Sequence, residues 1–384
     1  MKVLHLADLH LGKSVNEFSM IEDQKYILNE LLTIAEEKKA EAVLIAGDVY
    51  DKSIPSEEAV KLLDGFLSAL SEKGIAVLMI SGNHDSDERL SFASELLVKS
   101  GIYIYGSYDG SIHSVTLQDA YGQLNFHLLP FVKASHVHHY FPEEEMKDYD
   151  AAIRIALSRH SINKEERNIL LAHQFVSGNG YDPESAGSEN VASNHVGTIE
   201  KVEVSAFDDY DYVALGHIHR PQKVGRETVR YAGSPLRYSL NEINQNKSVP
   251  LLDIKEKGNV EIELIPLKPL REMRHIKGEM EKILNPANIR DTEDYIYVTL
   301  TDENAIPDAM HRLQMYYPHV LRLDYQNSHT EGWQAEDGGS VEQLSFREIM
   351  ENFFLKMNGR EMRSEEWEIL SEAGKKAGVS NASD

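Results

Sequence analysis

Five short polar clusters interrupt the apolar runs of this sequence: ADLH (Asp8, His10), AGDVYD (Asp48, Asp51), SGNHD (Asn83, His84, Asp85), LAHQ (His173) and LGHIH (His217, His219). Carboxylates, imidazoles and one amide, with no sulfur among them, suit manganese, iron or zinc. Each cluster closes an expected strand, and ligands of open α/β sheets bind beyond the carboxyl ends of strands. The five should therefore meet on one rim. In an extended segment alternate residues share a side, so Asp8 and His10 should aim together with Leu9 turned away, and His217 and His219 together with Ile218 turned away. Gly47, Gly82 and Gly216 precede three clusters, where a missing side chain permits a sharp turn.

These residues suffice for two ions if one carboxylate bridges, and Asp48 is the natural bridge. A pair of ions about 3.5–4 Å apart is the usual arrangement for hydrolysing phosphate esters. Two divalent ions with Asp8 and Asp48 leave a positive site. Asn83 can add an oxygen ligand without cancelling more of that charge, which keeps the site attractive to a phosphate. His84 is then expected to face the substrate and protonate the leaving oxygen, with Asp85 orienting the loop or His84. Taken singly, each cluster has a plainer reading: Asp-Leu-His at a strand end is more often a turn, and Gly-Asp is common. All five in this order, each at a strand end, argue for a site.

The elements that must position them alternate. Strands are expected at 2–7, 42–46 and 75–80, with helices at 20–39, 56–73 and 86–99, a β-α-β pattern that implies a largely parallel sheet. Further strands are expected near 112–117, 124–129, 168–172, 211–215, 229–232, 249–254 and 260–265, with a helix at 143–160. Fewer helices in this half suggest two sheets packed face to face. The stretch 177–197 reads as a long loop containing His195. Near Pro266 and Pro269 the character changes, and a helix (271–284), a strand (295–300), a helix (304–316) and a strand (319–325) suggest a small α/β unit. The expected domains are 1–268, a cap at 269–326, a linker at 327–342, and terminal helices within 343–384 (343–357 and 364–377). The fold class is α/β: two facing β-sheets flanked by helices, with a small α/β capping domain and C-terminal helices.

The chain has 384 residues, 41 % of them hydrophobic, enough for a sizeable core. It has no cysteine, which fits a reducing compartment and excludes thiolate metal sites. The opening MKVLHLADLH is too short and polar for a secretory signal, and no apolar run approaches the ~18 residues of a membrane span. A soluble cytoplasmic protein is expected. The net charge of −24 argues against sequence-blind coating of DNA, which wants a basic stripe. Nucleic acid would have to be held by a local basic rim, by metal or by a partner.

The motifs Asp-x-His, Gly-Asp-x-x-Asp, Gly-Asn-His-Asp, His and Gly-His-x-His resemble the calcineurin-like metallophosphoesterase superfamily. DLHLGK, AGDVYDKSIPS, GNHDSDERL, GHIHRPQ and YAGSPLRYSLNE are similar to its SbcD/Mre-eleven branch of DNA-repair nucleases. Specific motifs carry the resemblance to about residue 265; beyond that it rests on architecture. It implies one metal on Asp8, His10, Asp48 and His219 and a second on Asp48, Asn83, His173 and His217, with His84 as the catalytic histidine. It also implies manganese-dependent 3′-to-5′ exonuclease activity on duplex DNA, endonuclease activity on single strands and hairpins, a homodimer, and an SbcC-type coiled-coil ATPase partner. Two departures stand out: Asp51 where some relatives carry a DNA-positioning histidine, and Leu9 where most bacterial members carry Trp.

Lys13, Lys52, Arg89, Arg220 and Arg237 lie beside the clusters and could form the basic rim, with Tyr238 in the GSPLRYS motif. Phosphate contacts of this kind position a backbone without reading sequence; the plainer reading is that each cation pairs with an acidic neighbour. Phe346, Ile349, Met350, Phe353, Phe354 and Met357 recur at helical spacing after the linker. That stripe packs on its own domain or docks in a partner's groove, and the resemblance points to the base of the ATPase coiled coil. His136, His138 and His139 read as a solvated loop. Leu63, Phe66 and Leu97 serve a dimer face or the core equally well. The rival readings are a phosphoesterase of the same fold acting on nucleotides or phosphoproteins, and a non-catalytic DNA or partner scaffold.

Overall fold

The computed structural model describes residues 1–178, 180–185, 201–327, 346–358 and 360–376. His195 and most of the expected linker, 328–342, lie outside the described residues. Two compact units emerge: 1–275 with 291–297 and 317–322, and 276–290 with 298–316 and 323–384.

The first unit holds two six-stranded sheets. In the first sheet the order is Val260–Pro266, Ser248–Ile254, Lys2–Leu6, Ala42–Ala46, Ala76–Ile80 and Ile102–Tyr105. The last four are parallel and the first two antiparallel. In the second sheet the order is Gln222–Val224, Arg226–Tyr231, Tyr212–Gly216, Arg167–His173, Gly122–Leu129 and His113–Asp119. Its four central strands are parallel and its edges antiparallel.

The strands are apolar at nearly every position because both faces are covered. Leu44 and Leu78 point inward to meet Phe126, Ile169, Leu171 and Tyr212 between the sheets. Their neighbours Val43, Ile45 and Val77 point outward onto the helices Ile21–Glu37 and Glu57–Glu72. The second sheet uses the same alternation: Leu170, Val213 and Leu215 face outward to the helix Tyr149–Ser158. Ser56 caps the helix at Glu57 by accepting from the Ala59 N–H at 3.2 Å, and Asp148 does the same for Ala151 at 2.8 Å.

Several expected elements differ. The helix at 86–99 is broken into Asp87–Leu90 and Ser94–Leu97, with Ala93 left-handed at φ 61°. Ser91 is the reason: its Oγ accepts from the Gly106 N–H at 3.1 Å, a partner off the helix. The helix at 143–160 begins at Tyr149, after its cap. A separate helix, Ala134–Tyr140, carries His136, His138 and His139 on exposed positions where a loop was expected. The helix at 271–284 is a strand, Met273–Gly278, followed by one turn, Met280–Ile283. Its short mixed pattern fits either period, and backbone pairing beside Tyr295–Leu300 makes it a strand, with Tyr295 N–H donating to Glu272 O (2.9 Å) and Thr301 N–H to Gly278 O (3.0 Å). Helix 304–316 shrinks to Ala309–Gln314 behind Pro307 and a left-handed Asp308. Leu63 and Phe66 are core, and Leu97 packs against it, so none of the three forms an exposed dimer face; Val60, Phe92, Leu96 and Val98 are exposed apolar residues of that region.

The strands Met273–Gly278, Tyr295–Leu300 and Val320–Tyr325 form a three-stranded sheet, and the helix Ala309–Gln314 belongs to the second unit. The helices Phe346–Asn358 and Ser364–Lys376 also belong to it. Phe346 lies 6.1 Å from Trp367, ring to ring, and Arg360 sits 4.9 Å over the Phe354 ring. Phe346, Ile349, Met350 and Phe354 are half-buried and Phe353 is exposed; the Met357 side chain lies outside the described residues. Among the described residues no helix is long and apolar enough to cross a membrane.

Candidate metal centre

All seven expected ligands meet at the carboxyl ends of the central strands of both sheets. Asp8 and His10 follow Lys2–Leu6, Asp48 follows Ala42–Ala46, and Asn83 follows Ala76–Ile80. From the facing sheet come His173, the last residue of its strand, and His217 and His219, just past Tyr212–Gly216. The Asp8–His10–His219 and Asp8–Asp48–His173 groups each bring their ligand atoms within 4.8 Å of one another.

The expected reason for the convergence was wrong in detail. Asp8, His10, Asp48 and His217 are not extended; their φ values are 53°, 44°, 48° and 103°. Left-handed backbone costs a non-glycine residue free energy, and here it turns four functional side chains inward. The turns are held by backbone bonds from Asp8 N to Gly47 O (3.0 Å) and His10 N to Asp48 O (2.9 Å). The preceding glycines are needed for room. A Cβ on Gly82 would overlap the Asp48 carboxylate, and one on Gly216 would overlap the Ala46 carbonyl oxygen.

At the centre, Asp48 Oδ2 lies 3.4 Å from His173 Nε2 and 3.6 Å from His10 Nε2. Asn83 Oδ1 accepts from His217 Nδ1 (3.0 Å) and His173 Nε2 (3.2 Å). The Ala46 carbonyl accepts from His173 Nδ1 at 2.8 Å, so Nε2 is the nitrogen turned to the site. His10 and His219 set Nε2 against Nε2 at 3.0 Å. Asp8 Oδ1 accepts from the His217 N–H at 2.9 Å, while its Oδ2 is buried with no hydrogen-bond partner among the described residues. A buried orphan carboxylate oxygen, two imidazole nitrogens nose to nose, and a sulfur-free donor set fit divalent cations.

The electrostatics point the same way. Burial pushes the Asp8 carboxyl up to about 6, and burial together with the nearby Asp48 charge pushes Asp85 up to about 6. Burial opposes ionisation of Asp48 and His173 too, but their mutual attraction overrides it: Asp48 stays well below the carboxylate range and His173 rises to about 9. Burial, with the His173 charge beside it, drives His217 down to about 3. His10 is likewise driven down, mainly by burial. These are groups packed as ligands are, without water to stabilise their charge.

His84 donates its backbone N–H to Asp48 Oδ1 at 2.9 Å, and its Nδ1 donates to the Asp51 carbonyl at 3.0 Å. Its ring lies 4.8 Å from that of His10. Asp85 accepts instead from the backbone N–H groups of Val49 (3.1 Å), Tyr50 (2.8 Å) and Gly82 (2.9 Å), so it clamps the loops that carry Asp48 and Asn83.

The six rim residues separate. Lys13 pairs with Asp51 at 2.6 Å, and Arg220 pairs with Glu184. Arg237 is held by Glu272 and by the Gln245 carbonyl at 2.9 Å. Tyr238 is buried, donating to the Leu9 carbonyl at 2.6 Å, and so supports the Asp8–His10 turn from behind. Lys52 and Arg89 are exposed. Two supporting residues escape a reading of the sequence. Gln24 donates to the His10 carbonyl at 2.7 Å, and Glu242, inside the YSLNE motif, stands 3.5 Å behind His219 Nδ1. The available signals were a polar residue on the apolar face of its helix, for Gln24, and membership of that motif, for Glu242.

Comparison with known proteins agrees with this geometry. The calcineurin-like phosphoesterase profile matches residues 1–221, and the type 5 capsule protein repressor C-terminal domain profile matches 269–358. The chain belongs to the calcineurin-like phosphoesterase family, in the branch formed by the SbcD component of SbcCD nucleases. It is 34 % identical over 367 residues to the SbcD component of the SbcCD nuclease of Staphylococcus epidermidis, covering 94 % of this chain and 95 % of the relative. It is 31 % identical over 366 residues to the same component from Staphylococcus saprophyticus, covering 94 % of each. A solved dimetal phosphatase from Danio rerio superposes with a TM-score of 0.38 at 12 % identity, over 70 % of this chain and 99 % of that one, a likeness too slight to argue from. The chain is thus a metal-dependent phosphodiester hydrolase of the nuclease type.

Proposed function

We propose that the chain is the nuclease component of an SbcCD-type DNA-repair complex. It would act as a 3′-to-5′ exonuclease on duplex DNA and an endonuclease on single strands and hairpins, with two manganese ions. One ion would be held by Asp8, His10, Asp48 and His219, the other by Asp48, Asn83, His173 and His217. The observation that carries this reading is the meeting of these seven side chains from two sheets, with His84 beside them. Bound, the ions would supply an activated water and stabilise charge growing on phosphorus.

The protein's own part follows from its hydrogen bonds. The Asp51 carbonyl can only accept, so His84 Nδ1 carries a proton; as the imidazolium, His84 would carry a second proton on Nε2 and give that one to the leaving oxygen. Asp48 Oδ1, by accepting from the His84 N–H, ties the proton donor to the carboxylate that both ions would share. Asp85 is a positioning residue for both loops. Asn83 contributes an oxygen without negative charge, leaving a site that draws in a phosphodiester.

In this proposal Lys52 and Arg89 contact the DNA backbone, while Lys13, Arg220 and Arg237 act first as partners of carboxylates. The stretch 269–326 serves as a cap. The terminal helices, through Phe346, Ile349, Met350, Phe353, Phe354 and Met357, dock a coiled-coil ATPase of SbcC type. The nuclease works as a homodimer in the cytoplasm. Digestion of duplex ends and of hairpins with manganese, with and without the ATPase, tests the reading. Metal-loaded protein that leaves both substrates intact in the ATPase's presence would overturn it.

A further inference from the structure

Behind His219, on the side away from the other ligands, lies a buried charge pair that neither ligand set includes. Glu242 and Lys247 are both buried, and Lys247 Nζ lies 2.6 Å from Glu242 Oε2. Burying either charge alone would be costly. The pair is built around the imidazole. His219 Nδ1 faces Glu242 Oε1 at 3.5 Å, and Lys247 Nζ donates to the His219 carbonyl at 2.8 Å. Ser239 Oγ donates to the same Oε1 at 3.2 Å, and Ser234 Oγ takes a bond from Lys247 at 2.9 Å. The opposite ring nitrogen, Nε2, is the one set against His10.

From this geometry we infer that Glu242 is a positioning residue for His219: it accepts the Nδ1 proton, fixes the ring plane, and leaves Nε2 as the ligand nitrogen. This rests on the two-metal reading above and deepens it. A carboxylate behind a ligand histidine orients the ring and raises its basicity. A bare carboxylate there would also lower the positive charge that attracts a phosphodiester. Lys247 cancels that effect, since it neutralises Glu242 within 2.6 Å and is anchored to the same histidine. The pair therefore orients a ligand while adding no net charge, the same result that Asn83 achieves with an amide.

The test uses full-length protein, Mn²⁺ alone as the probe, and Glu242→Gln beside the double variant Glu242→Gln/Lys247→Met. The double variant removes both charges with little change of shape, so it carries no orphaned buried ion and keeps the test open if the single variant does not fold. The expected result is a drop of about 10- to 100-fold in affinity for one of two Mn²⁺ ions, read by calorimetry or by electron paramagnetic resonance of free Mn²⁺. Selective ¹⁵N labelling of histidine should also report a pure Nδ1–H form of His219 in the metal-free wild type and a mixture in the variant. A folded variant that binds both ions as the wild type does, with His219 unchanged, overturns the inference alone. A wild type that takes up no Mn²⁺ overturns the two-metal reading, and this inference with it.

Discussion

Asp48 and His173 come from opposite sheets and meet with 3.4 Å between Oδ2 and Nε2. Their attraction keeps the His173 imidazole charged up to about pH 9 in the metal-free protein. A metal ion taking Nε2 must displace that proton, so affinity should climb with pH until about 9. Calorimetric Mn²⁺ titrations at about pH 7.5 in Hepes and in Tris should differ by about one released proton. Identical heats would show that His173 is already neutral. Because the folded value lies above the ordinary 6.5, the pair's stabilisation is complete below 6.5 and fades as pH rises through about 9. For Asp48, held below 3.8, it is present above that value and fades in acid. The metal-free melting temperature should therefore fall between about pH 7 and 10.

His84→Ala should keep two metal ions per chain and lose about 10²–10⁴-fold in cleavage rate. Metal analysis and single-turnover digestion check both halves. Undiminished cleavage would remove His84 from proton transfer.

Gly216→Ala would set a methyl group against the Ala46 carbonyl oxygen and 2.7 Å from His173 Nδ1, forcing the sheets apart where the ligands meet. A loss of about 2–3 kcal/mol in urea unfolding is expected, with reduced metal content. Gly65→Ala is the contrasting change. Among the described residues, nothing beyond the helix's own backbone and the two chain neighbours lies within 4 Å of the added methyl, so it should stabilise by up to ~1 kcal/mol.

Asp85→Ala strips an acceptor from three backbone N–H groups, those of Val49, Tyr50 and Gly82. The expected cost is about 3 kcal/mol, with weakened metal uptake because the Asp48 and Asn83 loops loosen. If denaturation and metal titration both match the wild type, the clamp has no function.

Replacing Lys52 and Arg89 together by Ala should reduce the salt dependence of DNA binding by a slope of about 2. Arg237→Ala should instead lower stability and leave that slope unchanged, since its guanidinium is committed to Glu272 and the Gln245 carbonyl. Fluorescence anisotropy across a salt series distinguishes them.

Much of the site was legible before the fold. Strand alternation and the five clusters named all seven side chains that the fold brings together, because a metal site needs particular atoms and those atoms come only from a few side chains. The roles of Arg237 and Tyr238 were not legible, since proximity in a motif cannot tell a cation facing solvent from one locked under a turn. The break at Ala93 was hidden because it depends on Gly106, fifteen residues past Ser91 and on another element.

The sequence alone determined the chemistry: a sulfur-free set of carboxylates, imidazoles and one amide, each closing an apolar run. Only the tertiary structure decided how these converge. Left-handed turns at Asp8, His10, Asp48 and His217 do the aiming, and what holds those turns lies far along the chain: Tyr238 beneath Leu9, Asp85 beneath Val49 and Glu242 behind His219. Local propensity disfavours such backbone, so contacts between distant segments must supply the compensating free energy, and those contacts exist only once the strands have come together.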